Sequence, residues 1–267
     1  KDSQKYVPEF LDDIIEKNLN CINFIKTPTN CLPLFNGATS LKLSQIEKYL
    51  EDLKPNNKDN VLGGLFKIKH KNHFILIDVD KPPQKKFSRF YQSGPLSFEY
   101  FIDGIKIVTN SGFGNHISKK AELLSRLTAC QSTLTINETS VTKFEKNEMI
   151  NKVFGNSIQN SFKSFDFSTK NASDIIGCSA SNNGYGKEFG CSHKREVYVD
   201  KKNNFLKGTD YILKAKDGYP IRYAFRFHIN PELSVTKTMS GNSALIQISK
   251  NKSLLFTINN ENLEIEK

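Results

Sequence analysis

The stretch GPLSFEYFIDGIKIVTN, residues 94–110, decides the fold. Leu96, Phe98 and Tyr100 alternate with other residues, and Ile105 and Ile107 continue the alternation beyond Asp103-Gly104. A period of two places such residues on one face of a strand. Asp-Gly is the dipeptide that tolerates the left-handed backbone of a tight hairpin turn. The pattern therefore predicts an antiparallel hairpin with one buried face.

Outward from this hairpin the same signature recurs. Segments 64–69, 73–79, 96–102, 105–110, 132–137, 195–199, 210–215, 221–229, 244–248 and 253–258 are short, β-branched or aromatic, and often alternating. HFILIDVD (73–80) and IRYAFRFHI (221–229) are the clearest, and Asp217-Gly218 and Ser240-Gly241 mark further turns. Many even strands with few helices between them predict a mainly β chain, an antiparallel β-sandwich. Region 140–182 is polar, Asn- and Ser-rich and dotted with Phe, and reads as loops and short strands at the rim.

The N-terminal part is different. Phe10, Ile14, Ile15, Leu19, Ile22 and Phe24 recur at helical spacing and predict a helix over 5–25. A second helix is expected over 43–53, with Ser44 as N-cap, Glu47 completing a capping box and Pro55 ending it. Two helices do not make a domain, so the chain divides into a helical tail, 1–58, and a β body, 59–267. It begins at Lys1 inside a helical pattern and reads as a fragment or a processed chain.

Composition narrows the partners. The 267 residues carry a net charge of +10, with 20 Phe, 9 Tyr and no Trp. A basic surface attracts polyanions, but the lysines are dispersed and no nucleic-acid motif accompanies them, so nucleic acid is not an expected partner. No stretch reaches the roughly 18–20 apolar residues of a membrane span. Cys21, Cys31, Cys130, Cys178 and Cys191 form no CxxC pair. Cys21 and Cys31 could pair in an oxidising compartment, and otherwise all five read as ordinary semi-buried residues.

Four motifs in order carry a family resemblance. GPLSFEYFIDGIKIVTNSGFGN (94–115) with LLSRLTACQSTLTINETS (123–140) resembles the signature of heparinase II/III-type polysaccharide lyases. NNGYGKEFGCSHKREVYV (182–199) resembles the family's Gly-Tyr…His-x-Arg strand, and YAFRFHINPEL (223–233) its Arg-Phe-His-Leu-x-Pro. Upstream, INFIKTPTNCLPLFNGAT (22–39) resembles the end of the helical toroid that precedes the sandwich in a bacterial branch. The resemblance implies a supersandwich-like β domain following the tail of an (α/α) toroid, most of which lies outside this chain. It also implies an acidic polysaccharide as partner, β-elimination as the parent protein's reaction, and the periplasm or cell envelope as its place.

That chemistry needs a base for the C5 proton of a uronic acid, an acid for the departing oxygen, and donors that neutralise the carboxylate. In the family most of these come from the toroid. The sandwich adds histidines and, in several members, a zinc held by His, Asp and His. Here the corresponding positions are Gln92, Asn110 and Gln131. Amide oxygens are poor zinc ligands, so no metal and no cofactor are expected. The amides could bind sugar hydroxyls, or fill the space of a lost metal.

The remaining candidates are His193 and His228 for catalysis, with Arg126, Arg195, Arg226 and Tyr185 beside them. His193 and Arg195 stand at i and i+2, as do Arg226 and His228, so each pair shares one strand face. If the two faces meet they make a cationic patch for a carboxylate or sulfate; the alternative is a buried polar ladder bracing two strands. His70, His73 and His116 match no motif and read as surface residues. Lys119 and Lys120 read as a loop. A non-catalytic glycan-binding or scaffold domain is the alternative to the lyase reading.

Overall fold

The computed structural model describes residues 8–44, 60–214, 222–259 and 261–266. Among these described residues one 17-residue helix, α1 (Glu9–Ile25), leads into fifteen strands. The second expected helix, 43–53, and the turn at Asp217-Gly218 lie almost wholly outside the described residues.

Six strands form the first sheet: β1 (Val61–Leu62), β2 (Leu65–His70), β3 (His73–Asp78), β4 (Phe98–Ile102), β5 (Ile105–Thr109) and, at its edge, β12 (His228–Ile229). The decisive hairpin is present. Ile102 pairs with Ile105 across Asp103 and Gly104, both in the left-handed region at φ 51° and 79°. The second sheet runs β10 (Phe205–Lys214), β9 (Cys191–Asp200), β8 (Ile175–Asn182), β7 (Ser164–Asn171). A three-stranded sheet of β13 (Ser234–Lys237), β14 (Ser243–Ser249) and β15 (Lys252–Thr257) and a two-stranded one of β6 (Leu134–Ile136) and β11 (Tyr223–Phe225) complete the body. Every strand pair is antiparallel.

β3 shows why HFILIDVD is nearly continuous in apolar residues: both of its faces are buried. Ile75 and Ile77 enter the main core with Phe98, Tyr100, Ile107, Val197 and Val199 from the two large sheets. Phe74 and Leu76 point the other way and meet Phe24 and Phe35 of the N-terminal segment, with Leu65 and Phe101. The helical tail thus packs on the outer side of the first sheet. Lys67 ties the contact, donating to Phe24 O at 3.2 Å and lying over the Phe24 ring at 4.2 Å.

Four sequence expectations need correction. Region 140–182 is not rim alone: it holds the eight-residue strands β7 and β8, half of the second sheet, besides helix α3 (Glu148–Phe154). β7 is an exposed edge strand and β8 turns small residues inward, so neither carries an apolar stripe. The run 221–229 is not one strand. It breaks at Arg226–Phe227, with β11 pairing to β6 and β12 crossing to β5. α2 (Lys119–Leu124) corrects the expected loop, since Ser118 accepts from Ala121 N and caps a short helix. His73 is 1% exposed and bonded to Tyr100 at 2.9 Å, so it is no surface residue; His70 is half-buried and His116 exposed. None of the five cysteines forms a disulfide, and Cys178 and Cys191 are buried.

Phe24 is fully buried against the sheet. Phe24→Ala should cost about 3–5 kcal/mol, read from the urea midpoint at unchanged m-value. An unmoved midpoint would mean that the helical tail is not docked there.

Candidate functional site

β9 alternates strictly between buried and half-buried positions, and its inward residues are Cys191, His193, Arg195, Val197 and Val199. Two polar side chains therefore point into an apolar layer, and a buried charge demands a partner. The partner is Asp210 on β10, paired with Arg195 in the strand register. Arg195 grips it with both sides of its fork, Nε to Oδ1 at 2.7 Å and Nη2 to Oδ2 at 3.0 Å. Nη1 donates to Leu96 O and Ser132 O, both at 2.8 Å. His193 Nε2 reaches Asp210 Oδ1 at 2.7 Å.

The electrostatics follow from burial. Desolvation pushes His193 down, more than its hydrogen bond to Asp210 raises it, so the ring is neutral and Nε2–H donates. For Asp210, burial alone would raise the carboxyl, but the Arg195 charge and the two hydrogen-bond partners hold it well below the usual range. The trio is fully employed in bracing.

The expected convergence of His193 and Arg195 with Arg226 and His228 fails by parity. The 225–228 segment does run beside them, but it presents Phe225 to His193 (5.9 Å) and Phe227 to Arg195 (5.8 Å). Arg226 and His228 occupy the alternate positions. Arg226 Nη1 meets Glu266 at 3.0 Å, and His228 Nε2 sits 3.0 Å from Ala129 O. No cationic patch forms there. The polar ladder is the arrangement seen.

Arg126 is buried completely and holds three carbonyls: Tyr91 O at 2.8 Å, Asn156 O at 2.6 Å and Ser88 O at 2.9 Å. Its guanidinium lies 4.0 Å from the Phe144 ring centroid. Burial lowers it to about 10, which still leaves it charged at neutral pH. Tyr185 is likewise enclosed and donates to Leu134 O and Thr139 O; burial pushes its phenol up.

The three amides gather around backbone. Gln92 Nε2 donates to Gly112 O (2.9 Å) and Ser125 O (3.0 Å), while its Oε1 accepts from Gly37 N (3.0 Å). Gln131 Nε2 donates to the same Ser125 O at 2.8 Å. Asn110 Oδ1 accepts from Ser132 N at 2.9 Å. Their exposures of 3%, 1% and 1% put them behind the surface. Gln92 thus links the N-terminal segment, the end of β5 and the end of α2. A zinc ion here would face amide protons and oxygens already accepting backbone N–H groups, so the donor set does not fit that metal.

Sequence reasoning missed Asp210, because an acid in a short apolar run reads as the solvent side of the strand. It also missed Asp78, at the end of β3. Burial pushes the Asp78 carboxyl up to about 7, the range of a general acid–base group, yet it is 7% exposed and accepts from Asp80 N at 3.4 Å.

Two outcomes follow. Asp210→Asn leaves the Arg195 charge buried and unbalanced, and should cost about 3–5 kcal/mol at pH 7. Because the folded Asp210 pKa is depressed, its stabilisation is complete above the unfolded value, about 3.9, and lost as pH falls below it. His193 adds to the same trend, since the unfolded imidazole protonates near about 6.5 while the folded ring resists. Thermal melts should fall on acidification in the parent chain, and the step below about pH 4 should be smaller in Asp210→Asn; an unaltered acid profile would refute the pairing. For the amides, a chelator should leave the melting temperature unchanged, and a stoichiometric metal in elemental analysis would overturn that.

The comparisons with known proteins come to the same architecture. Comparison with curated proteins finds no match. Among solved structures, heparan sulfate lyase HepC from Pedobacter heparinus superposes with a TM-score of 0.69 at 15% identity, over 95% of this chain and 40% of that one. A structure of heparinase III gives 0.66 at 14% identity, over 93% and 41%. The heparinase III BT4657 gene product gives 0.67 at 15% identity, over 89% and 38%. The chain thus spans about two fifths of the length of these structures, which share its fold. Residues 54–267 match the model of the heparinase II/III-like C-terminal domain, and the chain belongs to that family.

Proposed function

We propose that this chain is the C-terminal β-sandwich of a polysaccharide lyase-like protein whose parent cleaves an acidic, uronic-acid-containing glycan by β-elimination, in the periplasm or cell envelope. Within that protein the sandwich is a frame, and the proton-transfer groups belong to the helical part. One observation carries the division: His193 and Arg195, the best-placed imidazole and guanidinium, are both spent on Asp210 inside the core. β-elimination requires a base whose lone pair reaches C5 and donors that face the carboxylate. At 2% exposure His193 cannot bring its remaining Nδ1 lone pair to C5 of an outside polymer, and the Arg195 fork faces Asp210 in place of a substrate carboxylate. His228 is half-buried, and its Nε2 is engaged by Ala129 O.

A second reading, a glycan-binding or scaffold domain in a protein without lyase activity, is favoured by the amide cluster, because Gln92, Asn110 and Gln131 transfer no protons at accessible pH. No helix of the described residues is long and apolar enough to cross a membrane.

The two readings separate experimentally. Incubated with a panel of uronic-acid polymers, the full parent protein should generate the ultraviolet-absorbing unsaturated product, and residues 1–267 alone should not. Turnover by the isolated chain would defeat the frame assignment. Silence from the parent on every polymer, with glycan binding retained, would favour the second reading.

A further inference from the structure

The inner face of the second sheet is consumed by the core, through Cys178, Ala180, Val197 and Val199. Among the described residues no further sheet packs over its outer face at Lys170, Tyr198 and Lys207, which are half-buried or exposed, and the register makes this row unusual. Lys207 pairs with Tyr198, Tyr198 with Gly177, and Gly177 with Lys170, so the four lie side by side across β10, β9, β8 and β7. Strand alternation turns this row away from Val197 and Cys178, hence away from the core.

The glycine has a specific consequence. A Cβ on Gly177 would come within 2.0 Å of Val197 O and 2.5 Å of Tyr198 Cδ1. Glycine alone fits beside β9 at this position, where the Tyr198 side chain reaches over Gly177 and stays half-buried. Lys170 and Lys207 flank it and are exposed. Among the described residues, neither lysine has an ion pair. The acids on this face are occupied instead: Glu196 pairs with Lys194 at 2.6 Å, and Asp200 accepts from Asn203 N at 2.7 Å. Lys207 and Lys170 are three strand spacings apart, about 14 Å between backbones.

We propose that this row binds an acidic polysaccharide, with the C–H face of one sugar ring stacked on Tyr198 and carboxylate or sulfate groups held by Lys170 and Lys207. A rigid aromatic platform gives apolar contact at low entropic cost, and the ammonium groups give charge-assisted hydrogen bonds to anions. The spacing favours a polymer whose anions are separated by uncharged rings. Nucleic acid carries a phosphate at every residue and is bound along a continuous basic groove; Glu196 and Asp200 interrupt this face. The inference takes its ligand class from the acidic-glycan reading above, but it concerns binding on a face remote from the buried trio.

The test is binding by residues 1–267, so it does not depend on turnover. Isothermal titration would use heparin, with dextran as neutral control and a single-stranded oligonucleotide as charge control. Tyr198→Ala should weaken heparin binding roughly tenfold, and Tyr198→Phe should retain it. The double variant Lys170→Gln/Lys207→Gln should weaken binding and flatten its salt dependence. Lys119→Gln/Lys120→Gln, which removes the same charge elsewhere, should leave the affinity intact. Equal losses from the two lysine pairs, an unaffected Tyr198→Ala, or oligonucleotide binding with the same Tyr198 dependence would overturn the proposal. If Tyr198→Ala fails to fold, the lysine pairs and Tyr198→Phe decide. A parent without lyase turnover leaves this site standing, and loss of this site leaves the lyase reading standing.

Discussion

The buried guanidinium of Arg195 pins the two large sheets to each other across their shared apolar core. Arg195 stands on the inner face of one sheet, and its four hydrogen bonds reach Asp210 on the adjacent strand and two carbonyls, Leu96 O and Ser132 O, from the segments flanking the other sheet. A charge at 3% exposure is expensive to desolvate, and the cost is met only when geometry is good and the remaining protons are satisfied. Here the fork is bidentate and both Phe98 and Phe227 rings lie near it. Such a group tolerates few alternative arrangements. It fixes the separation of the sheets and the register of β9 against β10 together. An apolar residue could fill the same volume without imposing either.

From that pin a polar seam runs outward. Ser132 gives its carbonyl to Arg195, its N–H to Asn110 Oδ1, and its hydroxyl to Thr109 O, while accepting the His228 N–H. The Ser125 carbonyl collects Gln92 and Gln131. The seam therefore ties the ends of β4, β5, α2 and β12 with amide and hydroxyl groups. Neutral donors and acceptors at this depth need no charge compensation, and each satisfied pair contributes about 1 kcal/mol.

The legible part of the fold was the part dictated by short-range pattern. The 94–110 hairpin could be read because alternation and an Asp-Gly turn both act within a few residues. β7 and β8 could not, since an edge strand exposes its side chains and β8 needs small residues where it packs. The split at Arg226–Phe227 is a tertiary decision: two different partner strands claim the two halves of one β-rich run. At the site, the i, i+2 pairing of His193 with Arg195 was correct as geometry. What the pattern could not supply was parity between distant strands, which delivered Phe225 and Phe227 to that face in place of Arg226 and His228. Nor could it foresee Asp210, whose burial is visible only once β9 and β10 are paired.

These facts bear on how an acidic glycan could be handled. A group that has been desolvated and neutralised by a partner exerts little field on a ligand outside, whereas an exposed, unpaired lysine keeps its full charge for the next anion that arrives. The inward arginines, Arg126 and Arg195, therefore say little about substrate, however suggestive their position in the sequence. The informative cations are those left over after internal pairing. On the outer face of the second sheet, Lys194 is taken by Glu196 and by the Tyr211 ring, whereas Lys170 and Lys207, in the row of Tyr198, have no ion pair among the described residues. The net charge of the chain becomes informative only after this subtraction, because it is the unpaired remainder, and its placement on a rigid face, that a polyanion can feel.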